Sequence, residues 1–333
     1  MTKAGGAGIR EASGRVDWQQ LLAPGVLVIM FAFFSVFGRN FFSTSTLMDI
    51  LEASYYIGFL AIGETFVIIS AGIDLSVGTN MMAAALIGGV AFNVWHWTMA
   101  GSLVLVVVIA TLVGVVNGVL IARLALPPFI VTLGTMFMSL GFGSIVSNVQ
   151  TQQYPTMTQA AGWFKAVFYR TQTGFPIGIV WLAAVFIIAH VLLTKTKLGR
   201  YTYAIGSNEE ATRISGINVA TWKILIYTIA GFCDGIAGIM FAATYTTIVP
   251  QTGNGLELYA IAAVVIGGAS LMGGIGSLVG TIIGVFIITV LKDGLMAINL
   301  QSQWQIFFTG LVVILAVLLD MYRTKKAARV REE

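Results

Sequence analysis

The sequence predicts an all-α membrane protein, a polytopic bundle of about ten transmembrane helices. Three observations carry this. Hydrophobic residues make up 57% of the chain and charged residues 10%, with a mean hydropathy of +0.90, far from the balance of a soluble domain. Glycine and proline punctuation cuts the apolar part into ten stretches, most of them near the roughly 17–25 helical residues that cross a hydrocarbon core of ~30 Å. Basic residues also fall unevenly on the two sides of those stretches.

The first twenty residues, MTKAGGAGIREASGRVDWQQ, are polar and charged, and the apolar run behind them lacks the small-residue cleavage pattern of a signal peptide. Residues 1–20 are therefore expected to be a cytoplasmic segment. Spans are expected at 21–37, 54–70, 77–95, 101–121, 129–148, 176–193, 223–248, 257–271, 275–291 and 303–320, giving a transmembrane domain at 21–320 and a basic cytoplasmic tail at 321–333. The eighth and ninth spans contain VVIGGASLMGGIGSLVGTIIG, which reads equally as a broken helix or a re-entrant hairpin.

With the amino terminus inside, the cytoplasmic segments hold fourteen of the Lys and Arg residues, from Lys3 through Arg123, Lys195, Arg200 and Lys223 to Arg331. The outer side holds four, Arg39, Lys165, Arg170 and Lys292. An odd number of spans would move the five basic residues of the tail outside, so this bias supports ten spans with both termini cytoplasmic. The net charge of +4 follows from the topology and calls for no nucleic acid.

Other chemistries find little material. Cys233 is the single cysteine, only His96 and His190 are histidines, and no CxxC or HExxH spacing occurs, so neither a disulfide nor a metal site is expected. The outer segment 149–175, at 27 residues, is too short for a catalytic domain. Its stretch WFKAVFYR (163–170) suits a helix anchored at headgroup level. No GxxxxGK[ST] loop is present, and GIGSLVG (274–280) lacks GxGxxG spacing and suits helix packing. GxxxG faces are expected at Gly231 to Gly235, Gly276 to Gly280 and Gly280 to Gly284. DLSVGT (74–79) and SLVGT (277–281) echo each other, as inverted repeats of five spans would.

The cytoplasmic loop 194–222 contains a short helix with both ends marked. Ser207 and Glu210 have capping-box spacing, and Gly216 suits the left-handed position beyond a helix end. A helix of about eight residues, ~12 Å long, is not stable alone in water and needs an external brace. Ala211, Ile214 and Ile217 form an apolar ridge, with Glu209, Glu210 and Arg213 as a charged rim. Two readings fit: the ridge packs on the protein's own helices, or it enters a cleft of a partner.

Ionisable residues at membrane depth are costly and mark partners or cavities. Glu64, Asp74, Asp234 and Glu257 are the candidates. Asp74 stands before the third span, where a carboxylate can accept the free N–H groups of a first helical turn, and Gly72 and Gly78 permit the reversal. The functional counterpart of that structural role is a broken helix whose ends line a path. Glu64 either bonds solute hydroxyls or stays protonated and bonded to a neighbouring helix. Ser76, Asn117, Thr132, Thr135, Ser139 and Asn148 add uncharged polar groups, each also explicable as a helix-to-helix bond. The candidate translocation path comprises Glu64, Asp74, Ser76, Asn117, Phe129, Thr132, Thr135 and Glu257.

AIGSNEEATRISGINV (204–219), GIDLSVG (72–78), PPFIVTLGTM (127–136) and GLELYAIAAVVIGG (255–268) resemble the four hallmark stretches of the ribose-type monosaccharide permeases of ATP-binding-cassette importers. The likeness extends over nearly the whole chain. It implies a type II importer-like bundle without a cofactor of its own, paired with a second permease subunit, identical or a close paralogue, in the bacterial inner membrane. It further implies an ABC ATPase subunit that binds ATP and Mg, and an extracytoplasmic sugar-binding protein that delivers cargo. The short helix becomes a coupling helix, contacting the ATPase through Ser207, Asn208, Glu209, Glu210, Ala211, Arg213, Ile214 and Gly216. The resemblance leads one to expect Met or Gln at position 64, so Glu64 is a departure. The competing class is an ion-coupled carrier with Glu64 or Asp74 as its proton site. An intramembrane enzyme lacks a nucleophile and base pair.

Overall fold

The computed structural model describes residues 18–332. Nearly all of the expected amino-terminal segment 1–20 lies outside the described residues, as does residue 333. The chain is helical almost throughout. In order come α1 (Trp18–Phe37), α2 (Thr44–Ile69), α3 (Val77–Asn93), α4 (Met99–Arg123), α5 (Pro128–Val146), a strand β1 (Gln152–Gln153), α6 (Trp163–Phe168), α7 (Gly178–Lys195), α8 (Lys197–Ser207), α9 (Glu209–Ile214), α10 (Val219–Tyr245), β2 (Thr247–Ile248), α11 (Leu256–Ile266), α12 (Leu278–Ala297) and α13 (Ser302–Glu332).

Each of the ten expected stretches falls on a helix. Six of these, α2, α4, α5, α7, α10 and α12, are long and apolar enough to cross a membrane, and the apolar parts of α1, α3, α11 and α13 are shorter. Several boundaries need correction. The second stretch begins at Thr44 rather than 54, because Ser43 caps it by accepting from the Thr46 N–H and the helix tolerates Asp49 and Glu52 in its early turns. The eighth ends at Ile266, and α13 continues past 320 to Glu332. The glycine-rich run is a loop, 267–277, in which Gly268, Gly273 and Gly274 adopt positive φ.

α2 is the axis of the bundle: residues 52–70 are all buried, with α10, α11, α12 and α7 around it. This explains its lack of an apolar stripe, since a helix enclosed on every side has no polar face. α4 and α10 form the tightest antiparallel pair. Gly114 and Gly118 of α4 meet the backbone of Tyr227, Gly231 and Ile224, while Gly231 and Gly235 of α10 meet Ala110 and Val107. A methyl group built on Gly114 would sit 2.3 Å from the Tyr227 carbonyl oxygen, so only glycine permits that approach. Gly280 and Gly284 likewise admit Gly267 and Ala263 of the α11 side. Gly276 lies in the loop against Ile69 and Ala269, so Gly276 to Gly280 is not a helix face, contrary to expectation.

The two ends of the bundle differ. One, termed the basic end, gathers the close of α2, α4 and α7, the start of α10, α8, α9 and loop 267–277. At the other, β1 pairs antiparallel with β2, Gln152 opposite Ile248. There WFKAVFYR does more than anchor at a surface. Phe164 and Lys165 are buried, and the Lys165 ammonium donates to the Ala243 carbonyl (2.8 Å) and to Thr246 Oγ1 (2.5 Å), satisfying the C-terminal end of α10. Burial lowers the Lys165 pKa from its ordinary value. Arg170 forms an ion pair with Glu52 of α2.

Candidate functional site

Where α2 turns into α3, the sequence SAGIDLS must reverse direction inside the bundle, and the polar groups freed by that reversal need partners. Asp74 supplies them. It is buried, and its Oδ1 accepts from the Ser76 backbone N–H (2.8 Å) and the Ser76 hydroxyl (2.6 Å). The Asn117 amide of α4 donates to Asp74 Oδ2 (3.3 Å) and to Ser76 Oγ (3.0 Å). The Asp74 backbone N–H donates to Glu64 Oε1 at 3.2 Å. Four of the sequence-predicted path residues, Glu64, Asp74, Ser76 and Asn117, thus form one closed knot.

Details depart from expectation. Ser76, not Asp74, holds the cap position of α3, and Asp74 bonds to Ser76 rather than to the first helical turn. Glu64 bonds to the loop that closes its own helix instead of to a neighbouring helix, and its Oε2 has no partner among the described residues. Two residues that the sequence reading passed over complete the surroundings. Asn80 of α3 donates to Asp234 Oδ2 of α10 (2.8 Å) and to the Ala110 carbonyl of α4 (3.1 Å), and the Tyr227 hydroxyl donates to the Ile73 carbonyl (3.3 Å). An asparagine in an apolar helix was the available signal for Asn80. Among the described residues, no group of three His, Cys, Asp or Glu side chains is placed to hold a metal ion.

The other four path candidates do not join the knot. Thr132 and Thr135 are buried and return their hydroxyls to the Pro128 and Thr132 carbonyls of their own helix (2.9 and 3.2 Å). Phe129 is exposed on α5. Glu257 sits at the start of α11, accepting from the Gly255 N–H at 2.9 Å, while its Oε2 abuts Gly78. The eight candidates thus divide into four that bond to one another and four that stand outside that group.

At the basic end, α8 and α9 make a ledge. The expected capping box is displaced by one residue: Ser207 is the last residue of α8, and Asn208 caps α9, its Oδ1 accepting from the Ala211 N–H at 2.9 Å. Asn208 fits because its extended backbone separates two helices while its short amide reaches the next turn. Glu210 does not reach back; it pairs with Arg213 at 2.6 Å. α9 has six residues rather than about eight. Gly216 takes the expected left-handed position, φ +82°.

The brace for this short helix comes from buried Thr212, whose hydroxyl donates to the Asn208 carbonyl, and from Lys223 of α10, which pairs with Glu209 at 2.6 Å. The apolar ridge does not pack on the protein's own helices. Ala211 is exposed, Ile217 half-buried and Ile214 77% exposed. Beneath the ledge, Gly206 fits so closely between the Ile69 carbonyl and the Gly274 nitrogen that a methyl group there would lie 1.8 Å from the former. The Gly274 N–H donates to that same carbonyl (2.8 Å), and the Tyr203 hydroxyl donates to the Gly276 carbonyl (2.8 Å). The ledge thereby rests on the seam between the α2–α3 loop, which holds Asp74, and loop 267–277.

Membrane-crossing helices interrupted by loops held within the protein, with a buried polar knot at one interruption, define a membrane transport protein. The chain belongs to the family described as branched-chain amino acid transport system / permease component, whose model matches residues 46–317. It is 38% identical over 306 residues to the ribose import permease protein of Haemophilus influenzae, covering 90% of this chain and 93% of that one. It is 34% identical to the fructose import permease protein of Rhizobium meliloti, covering 91% and 85%. With an autoinducer 2 import system permease protein of Yersinia pseudotuberculosis it shares 33% identity, covering 88% and 82%. No solved structure matches the chain.

Proposed function

We propose that this chain is the membrane-spanning permease subunit of an ATP-binding-cassette importer for a monosaccharide or a related small polyhydroxylated solute, driven by a separate ATPase subunit. Family membership and the ribose, fructose and autoinducer 2 import relatives support the class. The observation that carries the coupling is the ledge at the basic end: a helix too short to stand alone is held rigid and offers an unpacked isoleucine, Ile214, outward. A motor subunit pressing there pushes Gly206 against Ile69 and Gly274, and so reaches the two loops that interrupt the bundle.

In this reading both termini are cytoplasmic, about ten stretches cross the inner membrane in a type II arrangement, and the basic end faces the cytoplasm. ATP and Mg are bound by the partner, a binding protein delivers the solute at the opposite end, and a second permease subunit completes the path. Asp74, Ser76, Asn117 and Glu64 hold the α2–α3 interruption in shape rather than touch cargo.

The test is uptake by proteoliposomes containing the permease, its partner ATPase and its binding protein. Uptake that needs ATP, and stops when a catalytic residue of the ATPase is replaced, supports the assignment. Uptake by the permease alone, driven by a pH gradient, would replace it with the ion-coupled carrier.

A further inference from the structure

The pairing of β1 with β2 fixes Ile248 near the far end of α3, where Gln152 lies against Gly89 and Tyr154 against Gly88. A few residues on, Gly253 has moved down α3 to Gly78 and Met82, with its carbonyl oxygen 2.5 Å from where a Gly78 methyl would be. That is a descent of two to three turns of α3, ~10–16 Å, made without helical hydrogen bonding. Only at Leu256 does the chain become helical again, as α11, with Glu257 accepting from the Gly255 N–H.

Non-helical backbone at membrane depth cannot face lipid, because its polar groups would find neither water nor partners. Yet residues 249–255 form part of the surface. Gln251 and Asn254 are exposed, and their amides bond to no other described residue. Beside them is a shallow recess whose polar lining is Thr79, Ser139, Gln251 and Thr252. Ser139 is the second, independent sign. A serine or threonine inside an apolar helix normally returns its hydroxyl to a carbonyl one turn back, as Thr132 and Ser144 of the same helix do. Ser139 is only 7% exposed and has no hydrogen-bond partner among the described residues. A larger groove, ≈ 370 Å³ between α4, α6 and α10, has an almost wholly apolar lining, including Val104 and Trp163, and does not match a hydroxylated ligand.

We propose that the recess between α3, α5 and segment 249–255 faces a water-filled solute path, and that Ser139, Gln251 and Thr252 are its hydrogen-bonding contacts for a polyhydroxylated solute. A hydroxyl, an amide and a second hydroxyl supply donors and acceptors together, which a sugar or polyol matches and an ion does not. The proposal rests on the permease reading and adds where cargo touches this chain. It moves the contact away from the Glu64–Asp74 knot, where the Asp74 carboxylate is held by Ser76 and Asn117.

Because Cys233 is the single cysteine and is buried, a cysteine-free chain needs one substitution, Cys233→Ala. Ser139→Cys and Gln251→Cys are introduced separately on that background, in the assembled complex in opened membrane vesicles. Thr173→Cys, on the exposed segment after α6, serves as the accessible control, and Val104→Cys, on the exposed apolar face of α4, as the lipid control. The probe is the charged reagent sulfonatoethyl methanethiosulfonate. Both recess cysteines should react within about tenfold of Thr173→Cys, and Val104→Cys about a hundredfold slower, since only a hydrated thiolate reacts. Trapping the complex with ATP and vanadate should change both recess rates by about threefold or more while leaving Thr173→Cys unchanged. Recess cysteines as slow as Val104→Cys, or rates indifferent to trapping, overturn the proposal. Failure of ATP-dependent uptake would instead count against the importer reading, and the labelling of the resting protein still decides whether water reaches the recess.

Discussion

Truncating Ile214 isolates the step from sequence to partner, because the side chain contributes almost nothing to this chain's own packing. It is 77% exposed on a six-residue helix that Thr212, Asn208 and the Glu209–Lys223 pair hold in place without it. Fully burying an isoleucine is worth ~1.5–3 kcal/mol, so covering the exposed three quarters of this one in a partner's cleft contributes about 1–2 kcal/mol. At ~1.4 kcal/mol per tenfold, Ile214→Ala should weaken binding of the ATPase subunit by roughly five- to thirtyfold. The free permease should lose less than about 0.5 kcal/mol, as is usual for an exposed position. The assay is surface plasmon resonance with the permease in nanodiscs and the purified ATPase in solution, with thermal unfolding of the permease measured in parallel. Ile214→Met, which keeps apolar area, should recover most of the affinity. Unchanged affinity for Ile214→Ala alongside unchanged stability would show that the ridge meets no partner, and the coupling assignment of α9 would fail.

The remaining predictions concern the fold that supports this contact. Asp74→Ala strands the Ser76 N–H and the Ser76 hydroxyl in a buried knot, while the Asn117 amide keeps Ser76 Oγ as acceptor, so about 2–6 kcal/mol of stability should be lost, at ~1–3 kcal/mol per stranded group; Asp74→Asn, which keeps an acceptor, should lose less, both measured by thermal unfolding in detergent. Gly231→Val forces α10 off the α4 backbone and should abolish folded material in size-exclusion profiles, whereas Gly134→Ala, which meets nothing within 4 Å, should behave as the parent. Gly216→Ala places a side chain at φ +82° and should cost about 1–2 kcal/mol at the end of α9, with Gly216→Asn costing less, seen as faster hydrogen exchange over 209–216. Lys165→Met removes the ammonium that makes both hydrogen bonds to the close of α10 and should destabilise by roughly 1–3 kcal/mol, read from the unfolding midpoint.

Much of this architecture was legible because lipid and helix impose strong, local rules. Length and hydropathy located ten helices, and Gly216 announced its left-handed backbone through the one residue type that bears it without strain. What sequence pattern could not resolve was set by neighbours distant in the chain. Asn208 and Ser207 are both good cap residues, and the choice between them depends on α8 running up to Ser207, where Gly206 is clamped by Ile69 and Gly274. α2 begins ten residues early at the Ser43 cap, and its buried Glu52 is paired with Arg170, a partner more than a hundred positions away. The glycine-rich run 264–284 was ambiguous for a related reason. Its glycines serve both loop conformations and close helix contacts, and only the position of α11 separates the two uses.

The candidate path residues divide into a bonded group and four that stand outside it, and the division has a physical reason. Conspicuous residues in an apolar sequence are the charged ones, but burying a carboxylate is costly, and Asp74 meets that cost with donors on both oxygens, which leaves it little free for cargo. A solute that must arrive, bind weakly and leave is better served by uncharged groups whose bonds are unspent. Such groups are inconspicuous by composition: Ser139 looks like any serine in a helix, and Gln251 like any loop residue. They stand out only when their neighbours are known, by the carbonyl that Ser139 does not bond and by the depth to which β2 and Gly78 draw the segment around Gln251. The charged knot and the free hydroxyl then divide the work, one fixing the interruption of α2 and α3 and the other presenting a wet surface beside it. The two are joined through the start of α3: Ser76 of the knot caps that helix, and Thr79 of the recess donates its hydroxyl to the Ser76 carbonyl at 3.0 Å.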